Sequence, residues 1–201
     1  MGLGALRYLG PLRPWALAGW RWDARSKIER IASYLNSDDR ILDVGTGYGL
    51  VSDGLVAEHG FTVERCDVVD EQLADGPRPT LFDGRRLPYE SDSYDVAMLL
   101  TVLHHVHDPE ALLSEARRVA RRLLIIEDVY SGPLQRRLTY AADSLFNFEF
   151  GNHPHSNRTD PEWRACFCRL SLEIEGFRSD RYLGLFRQNT YALSRVATSD
   201  V

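Results

Sequence analysis

Lysine is almost absent from this sequence of 201 residues, in which Lys27 stands alone, and the chain as a whole has no excess of positive charge. Lysine and arginine together number 24 against 29 acidic residues, which gives a formal net charge of -5. A chain with this balance offers the phosphate backbone of nucleic acid no overall attraction. We therefore expect its partner to be a small molecule and not nucleic acid.

Cysteine and long apolar runs are also scarce. Of the three cysteines, Cys166 and Cys168 are separated by a single residue and are poorly placed to pair, which favours a reducing compartment. Pro11 and Pro14 interrupt the apolar start of the chain, and no apolar run reaches membrane length. The sequence thus predicts a cytoplasmic protein without membrane insertion, and no pattern in it indicates an oligomeric state.

The sequence does contain an alternation of helical and strand patterns. Helical spacing of apolar residues predicts helices at about 24–35, 50–59, 109–120 and 133–145. Short apolar runs predict strands at 40–44, 62–67, 94–101 and 122–127, with a brief strand ending near Phe82. This alternation implies right-handed crossovers and a Rossmann-like, doubly wound α/β sheet.

The end of the chain breaks the alternation. Strand patterns at 172–177 and 189–195 have no helix between them, so we expect the mostly parallel sheet to close with a C-terminal antiparallel hairpin. The length suits one buried core, and residues 1–201 are expected to form a single domain with an N-terminal extension over 1–23.

The strongest local signal is a strand that runs into a glycine-rich turn and then a helix. It reads Ile41-Leu42-Asp43-Val44-Gly45-Thr46-Gly47-Tyr48-Gly49. Glycines allow positive φ and close backbone approach, so a ligand can lie against this turn at the carboxyl end of the strand. Dinucleotide-binding dehydrogenases place their third glycine one residue later, where Leu50 stands here, so the spacing disfavours NAD.

An acidic residue for a ribose is expected about twenty residues after the glycines. Asp67 ends the second predicted strand at that distance, where a carboxylate can accept hydrogen bonds from both ribose hydroxyls. Asp70 is the alternative, and strand alternation does not separate the two. We prefer Asp67 because it directly follows the apolar alternation of the strand.

These features resemble the class I S-adenosylmethionine-dependent methyltransferases, and in particular the group with a methyltransferase type 11 domain. The matching segments are Ile41 to Gly49, Asp67, Phe82-Asp83-Gly84-Arg85-Arg86-Leu87-Pro88-Tyr89, Ser93-Tyr94-Asp95-Val96 and Val102-Leu103-His104-His105-Val106-His107-Asp108-Pro109. The resemblance implies S-adenosyl-L-methionine as cofactor. It also implies that the cofactor is held by Asp43, Gly45, Thr46, Gly47 and Gly49 at the methionine part, Asp67 and Val68 at the ribose, Asp83 and Gly84 at the adenine, and Thr101 beside the methionine end.

The sequence departs from this family before the fifth strand. The usual Pro-Gly-Gly turn is missing, and the arginine-rich run 117–122 leads directly into Leu123. We expect a solvated helix end here, with a contact patch for an acidic partner as the alternative.

Histidines supply the candidate catalytic groups. His104 and His105 follow the fourth strand beside the expected crevice, where a histidine can act as a base near neutral pH, and His155 is a third candidate. Each is alternatively a packed or exposed side chain. No metal is expected, because the cluster is one local run without a second group of ligands at recognisable spacing.

Candidate substrate residues come from the carboxyl end of the fifth strand and from the chain beyond it. Glu127 and Asp128 alternate, so only one of them can point into the crevice, and Asp128 is the candidate. The long connection 146–163 is predicted to cover the substrate with His153 and His155, or else to be packed by its aromatic residues. Three tryptophans near the N-terminus either cover the same pocket or anchor that segment: Trp15, Trp20 and Trp22.

The predicted function is transfer of a methyl group to oxygen or nitrogen of a small-molecule acceptor. A non-catalytic subunit that binds the same cofactor is the alternative. An oxidoreductase is set aside, because it requires the other glycine spacing and usually a Tyr-x-x-x-Lys pair, whereas Lys27 precedes the motif.

Overall fold

Helices and strands alternate along the computed structural model, which describes residues 13–73, 76–130, 132, 135, 156–182 and 186–196. The helices are α1 (Arg13–Ile31), α2 (Leu50–His59), α3 (Pro109–Val119) and α4 (Asp160–Arg169). The strands are β1 (Arg40–Val44), β2 (Thr62–Asp67), β3 (Thr80–Leu81), β4 (Tyr94–Leu100), β5 (Ala120–Val129), β6 (Leu172–Tyr182) and β7 (Phe186–Arg195). Short 3-10 turns follow α1 (Ala32–Tyr34) and β4 (Leu103–His105).

The strands form one mixed sheet in the order β3-β2-β1-β4-β5-β7-β6. The first five pair in parallel, whereas β7 pairs antiparallel with both β5 and β6. The predicted fold, a mostly parallel doubly wound sheet closed by an antiparallel hairpin, is therefore confirmed. Because β1 and β4 are neighbours while the chain runs outward on either side of them, the topological switch point lies at their carboxyl ends.

Each face of the sheet is covered by a separate apolar layer. Leu113, Ala116 and Phe167 belong to the layer that α3 and α4 build on one face. Ile28, Ile31 and Leu55 belong to the layer of α1 and α2 on the other. Burial on both faces explains why β4 reads in the sequence as a continuous apolar run.

Helix α1 begins at Arg13, well before the predicted start near residue 24. The proline that indicated an irregular segment, Pro14, is the second residue of the helix. Proline is compatible with the first turn of a helix because the amide hydrogen it lacks has no partner there. Much of the expected N-terminal extension is therefore helical, and its residues 1–12 lie outside the described residues.

The helix α4 is an element that the sequence analysis missed. Residues 160–163, assigned to a covering loop, form its first turn. Thr159 marks the boundary, because its backbone N–H and its hydroxyl donate to Glu162 Oε2 at 2.7 and 2.8 Å. Trp163 is fully buried in the core. Residues 146–155 and most of the helix predicted at 133–145 lie outside the described part of the chain.

The arginine-rich junction between α3 and β5 contains no loop residue, since the helix ends at Val119 and the strand begins at Ala120. Arg118 donates to the carbonyl oxygens of Tyr89 and Leu87 at 2.8 and 3.0 Å. Arg122 pairs with Asp39 at 2.6 Å. These two arginines are held by the fold itself, and a simple solvated helix end does not describe them.

Candidate active site

A cavity of about 450 Å³ lies at the carboxyl ends of β1, β2 and β4, a size typical of small-molecule sites. Its wall combines the turn after β1, the end of β2, the segment after β4 and the side of α1. The lining includes Trp20, Asp23, Ala24, Lys27, Asp43, Gly45, Thr46, Gly47, Tyr48, Asp67, Val68, Gly84, Thr101, Val102, His105 and Val106. The topological switch point of the sheet is therefore also where the cavity opens.

Two glycines of the turn after β1 have different surroundings, one packed against the protein and one open toward the cavity. Gly45 has a φ of 73°, and a Cβ there would lie 2.7 Å from Cγ2 of Val102. Gly47 has a φ of 51°, and a Cβ there would meet no atom within 4 Å. Glycine at 45 is thus required by packing within the protein, whereas glycine at 47 leaves space beside the cavity.

Asp43 anchors this turn from below. Its Oδ2 accepts hydrogen bonds from Thr46 Oγ1 at 2.9 Å and from Ser52 Oγ at 2.5 Å. Only 3% of Asp43 is exposed, and burial raises the pKa of its carboxyl group. The buried carboxyl group therefore ties the turn to the first turn of α2 while forming part of the cavity wall.

Asp67 forms the next part of the wall. One carboxylate oxygen accepts from the backbone N–H of Gly47 at 2.8 Å, and the other accepts from that of Val68 at 2.7 Å. Each oxygen keeps a second lone pair for a ligand hydroxyl. Asp70, the alternative acid, instead pairs with Arg78 at 3.2 Å and is outside the cavity lining.

Helix α1 contributes a wall that the sequence analysis only partly anticipated. Trp20, Asp23, Ala24 and Lys27 follow helical spacing and line the cavity. The Trp20 ring lies over that of Tyr48, with 4.5 Å between the ring centroids. Trp20 therefore covers the cavity, as one of the two sequence interpretations proposed.

Lys27 is the functional candidate that the sequence analysis missed. Its ammonium group donates to Thr101 Oγ1 at 2.8 Å and pairs with Asp23 at 2.9 Å. An ammonium group has three hydrogens, so one remains for a ligand in the cavity. The helical spacing from Trp20 to Lys27 was the available signal, since it places both residues on one face.

The two adjacent histidines occupy different places. His105 lines the cavity, whereas His104 is buried with its Nδ1 2.7 Å from Glu127 Oε2. Glu127 is fully buried and also accepts from the backbone N–H groups of Val102 and Leu103 at 3.0 and 2.7 Å. Glu127 and His104 thus fix the turn that presents His105.

Of the remaining cofactor candidates, one lines the cavity and two lie outside its lining. Gly84 lines it, whereas Gly49 begins α2 behind the lining. Asp83 is exposed, and its Oδ1 accepts from the backbone N–H groups of Arg86 and Arg85, each at 2.9 Å. Those backbone hydrogen bonds lower the pKa of the Asp83 carboxyl group. Asp83 therefore shapes the turn that carries Gly84.

Asp128 lies on the opposite face of β5 from Glu127 and is outside the lining. Burial raises the pKa of its carboxyl group. His153 and His155 lie outside the described residues. Within the described ranges, no three His, Cys, Asp or Glu side chains converge as a metal site.

Comparison with known protein families shows which family the chain belongs to. A family model for a methyltransferase domain matches residues 20–164, which include α1 from residue 20 onward and the first five strands. The chain belongs to this methyltransferase family. The expectation of a class I S-adenosylmethionine-dependent methyltransferase is confirmed at the level of the family.

Individual relatives of this methyltransferase match over part of their length. A ubiquinone biosynthesis O-methyltransferase of Idiomarina loihiensis is 30% identical over 93 residues, 41% of this chain and 38% of the relative. A demethylmenaquinone methyltransferase of Beutenbergia cavernae is 36% identical over 98 residues, 44% of this chain and 40% of the relative. The chain thus spans about two fifths of the length of these curated relatives.

A solved structure shows the same fold over most of the methyltransferase. It is the 1,6-didemethyltoxoflavin-N1-methyltransferase of Burkholderia thailandensis with bound 1,6-didemethyltoxoflavin and S-adenosylhomocysteine. The TM-score is 0.67 at 18% identity, with 87% of this chain and 78% of that chain covered. At this identity, the likeness concerns the fold alone.

The residues around the cavity fit S-adenosylmethionine chemically. Asp67 offers hydrogen-bond acceptors for ribose hydroxyls, and the open side of Gly47 leaves room against the turn. Lys27 offers a cation with a remaining hydrogen for a carboxylate. The cavity therefore presents a complementary group for each polar end of the cofactor.

Proposed function

We propose that this methyltransferase transfers the methyl group to an oxygen or nitrogen atom of a small-molecule acceptor that binds beside His105. The observation that carries the proposal is the division of the cavity wall. Asp67 lines the cavity at the end of β2, Gly47 and Gly84 line it at the turns after β1 and β3, and His105 lines it at the 3-10 turn after β4. A single cavity thus has room for a cofactor side and an acceptor side.

The cofactor side uses residues whose positions are fixed by the fold. In this proposal Asp67 accepts hydrogen bonds from the ribose hydroxyls, and Lys27 binds the methionine carboxylate with the hydrogen left by Thr101 and Asp23. Asp43 holds the turn through Thr46 and leaves the backbone close to the ligand. All these groups are ordered before the ligand arrives, which lowers the entropic cost of binding.

On the acceptor side, His105 is proposed as the group that takes the acceptor proton. S-adenosylmethionine supplies an electrophilic methyl group, and its transfer leaves S-adenosylhomocysteine and one proton to be removed from the acceptor. A histidine is suited to this near neutral pH. His104 and Glu127 act as positioning residues, because they hold the turn and lie behind the cavity.

The choice of oxygen or nitrogen is supported by the names of similar proteins. One relative is an O-methyltransferase of ubiquinone biosynthesis, and the solved neighbour is an N1-methyltransferase of a small heterocycle. The demethylmenaquinone methyltransferase is named for a quinone-related acceptor, so it supports a ring compound as acceptor and not the choice of oxygen or nitrogen. We propose an acceptor of this kind, a small ring compound with a hydroxyl or ring N–H group.

The test is a methyl-transfer assay with isotopically labelled S-adenosylmethionine and a panel of hydroxylated aromatic and nitrogen-heterocyclic acceptors. We expect mass spectrometry to show a labelled methyl group on oxygen or nitrogen. His105→Gln should lower turnover by about 10²- to 10⁴-fold, the usual contribution of a general base, with the affinity for S-adenosylhomocysteine nearly unchanged. A product methylated on carbon would contradict the proposed acceptor atom.

His107→Gln is the matched control, because His107 is an exposed histidine on the same segment and outside the cavity lining. It should keep wild-type turnover. Equal activity of the two variants across pH would exclude His105 as the base. His153→Ala and His155→Ala test the proposed substrate contacts of the segment before α4, and loss of cofactor affinity in them would place those residues on the cofactor side instead.

A further inference from the structure

Helix α1 has two faces with different surroundings. The inner face, with Trp20, Lys27 and their neighbours, lines the cavity. On the outer face, Trp15 is 78% exposed and Trp22 is 52% exposed. The two rings are seven residues apart, which puts them on one side of the helix about 10 Å from each other. A surface helix normally turns such side chains toward the core.

Between the two tryptophans, the outer face carries only small residues. Ala18 and Gly19 are the residues that separate them along this face, and both are exposed. Arg21 and Arg25 lie beside Trp22 and are exposed as well. The outer face of α1, defined by Trp15, Ala18, Gly19, Trp22, Arg21 and Arg25, is therefore apolar and basic, and the exposed acid Glu29 lies one turn beyond it.

The charge of this end of the chain is opposite to that of the whole. Residues 1–22 contain Arg7, Arg13 and Arg21 but no aspartate or glutamate, whereas the chain as a whole has a net charge of -5. The first acid after the start is Asp23, which faces the cavity and pairs with Lys27. Of these arginines, Arg13 and Arg21 lie on α1 with the exposed tryptophans.

We propose that the outer face of α1 docks on a membrane surface rich in anionic phospholipid. Tryptophan is favoured at the boundary between headgroups and acyl chains, and arginine is attracted to anionic headgroups. The helix lies on the surface and does not cross it, since no helix in the described ranges has the length and apolar content of a membrane span. The cavity wall built by the same helix then lies next to the membrane.

A lipid surface suits this face better than a protein does. A stable protein interface buries about 800 Å² on each partner, with a fully apolar centre. Here Gly19 presents no side chain between Trp15 and Trp22, and arginines flank the patch. Two exposed rings on one side of the helix with adjacent positive charge match an interface of headgroups.

Cosedimentation of the full chain with vesicles tests the proposal. Vesicles of equal parts phosphatidylglycerol and phosphatidylcholine should pellet the protein, vesicles of phosphatidylcholine alone should do so far less, and added salt should release it. Replacement of both Arg21 and Arg25 by Gln should weaken the partition by roughly 30-fold, because each basic residue at an anionic surface contributes about fivefold. Trp15→Ala should weaken it further.

Matched controls use exposed residues away from α1. Replacement of both Arg40 and Arg121 by Gln removes the same charge at the amino ends of β1 and β5, on the side of the sheet edge away from the cavity. Leu81→Ala shortens an apolar side chain on β3 that is 56% exposed. These variants should partition like the wild type. The substituted α1 residues are exposed, so circular dichroism should show an intact fold in every variant.

Several outcomes would overturn the proposal. One is wild-type protein that stays in the supernatant with anionic vesicles, and another is an equal loss of binding in the control variants. Equal binding to both kinds of vesicle would show that attraction between the arginines and anionic headgroups does not drive the docking. A dimer that dissociates on Trp15→Ala would assign the face to a second copy of the chain. Vesicle binding needs no acceptor, so its failure is distinguishable from failure of the proposed methyl transfer.

Discussion

Replacement of Asp67 by alanine tests the cofactor side of the cavity most directly. The carboxylate accepts from the backbone N–H groups of Gly47 and Val68 and has lone pairs left for two ligand hydroxyls. A hydrogen bond to a charged group contributes roughly 1.5 to 3 kcal/mol. Since water restores part of what is lost, Asp67→Ala should weaken binding of S-adenosylhomocysteine by about tenfold to several hundredfold.

The same change also affects the fold, because it removes the acceptor from two backbone N–H groups. The two N–H groups, those of Gly47 and Val68, lie at the cavity, where water can replace the lost acceptor in part. The free energy of unfolding, measured by urea denaturation, should therefore fall by about 1 to 3 kcal/mol. Calorimetric titration of the folded variant then measures affinity alone. Asp70→Ala is the matched control, because that acid pairs with Arg78 outside the lining. Normal affinity in Asp67→Ala together with lost affinity in Asp70→Ala would refute the assignment.

Three further predictions concern the cavity wall and one concerns the thiols. Because Lys27 is the only lysine, an amine-acetylating reagent followed by mass spectrometry should modify it more slowly when S-adenosylhomocysteine is bound, and an unchanged rate would place the ligand elsewhere. Gly47→Ala should remain folded, with a cost of about 1 kcal/mol for the positive φ, yet show reduced affinity in calorimetry. Trp20→Ala should raise KM for S-adenosylmethionine, because it removes the ring that covers Tyr48. Burial raises the pKa of the Cys66 thiol, so iodoacetamide at mildly alkaline pH should label exposed Cys168 and reach Cys66 only after unfolding.

The elements closest to the glycine motif were predictable because their boundaries are written in local chemistry. The strands β1 and β2 and the helix α2 have the bounds that the pattern predicts. Gly49 and Gly60, both with positive φ, stand at the two ends of α2. Local signals of this kind do not depend on the rest of the fold.

The errors occurred where a local signal was read in the wrong direction or was not read. Pro14 indicates a break but also suits the first turn of a helix, and α1 uses the second property. The start of α4 was signalled by Thr159 and Glu162, three residues apart, the spacing of a capping box. The aromatic stretch before it led to an interpretation of the whole region as a loop.

The candidate site was predictable on its cofactor side and not on its acceptor side. Gly47 and Asp67 belong to elements that adjoin in the sheet, so motif and spacing bring them together. Lys27 meets Thr101 only because α1 packs across the sheet. His104 and His105 differ through the direction of two consecutive side chains, which periodicity cannot assign within a short 3-10 turn.

The position of α1 links these observations, because the helix is anchored at its carboxyl end and lines the cavity along its middle. Its last turns are fixed by Ile28 and Ile31 in the core, and Arg30 Nη1 donates to Gln188 on β7 at 2.9 Å. Lys27 lies one turn before Arg30, so the same anchors set the place of its ammonium group. The first turns carry Trp15 on the outside, beyond those anchors. The proposed docking surface and the wall of the methyltransferase cavity are therefore opposite sides of one helix, so a substitution on the outer face tests docking without removing a residue that lines the cavity.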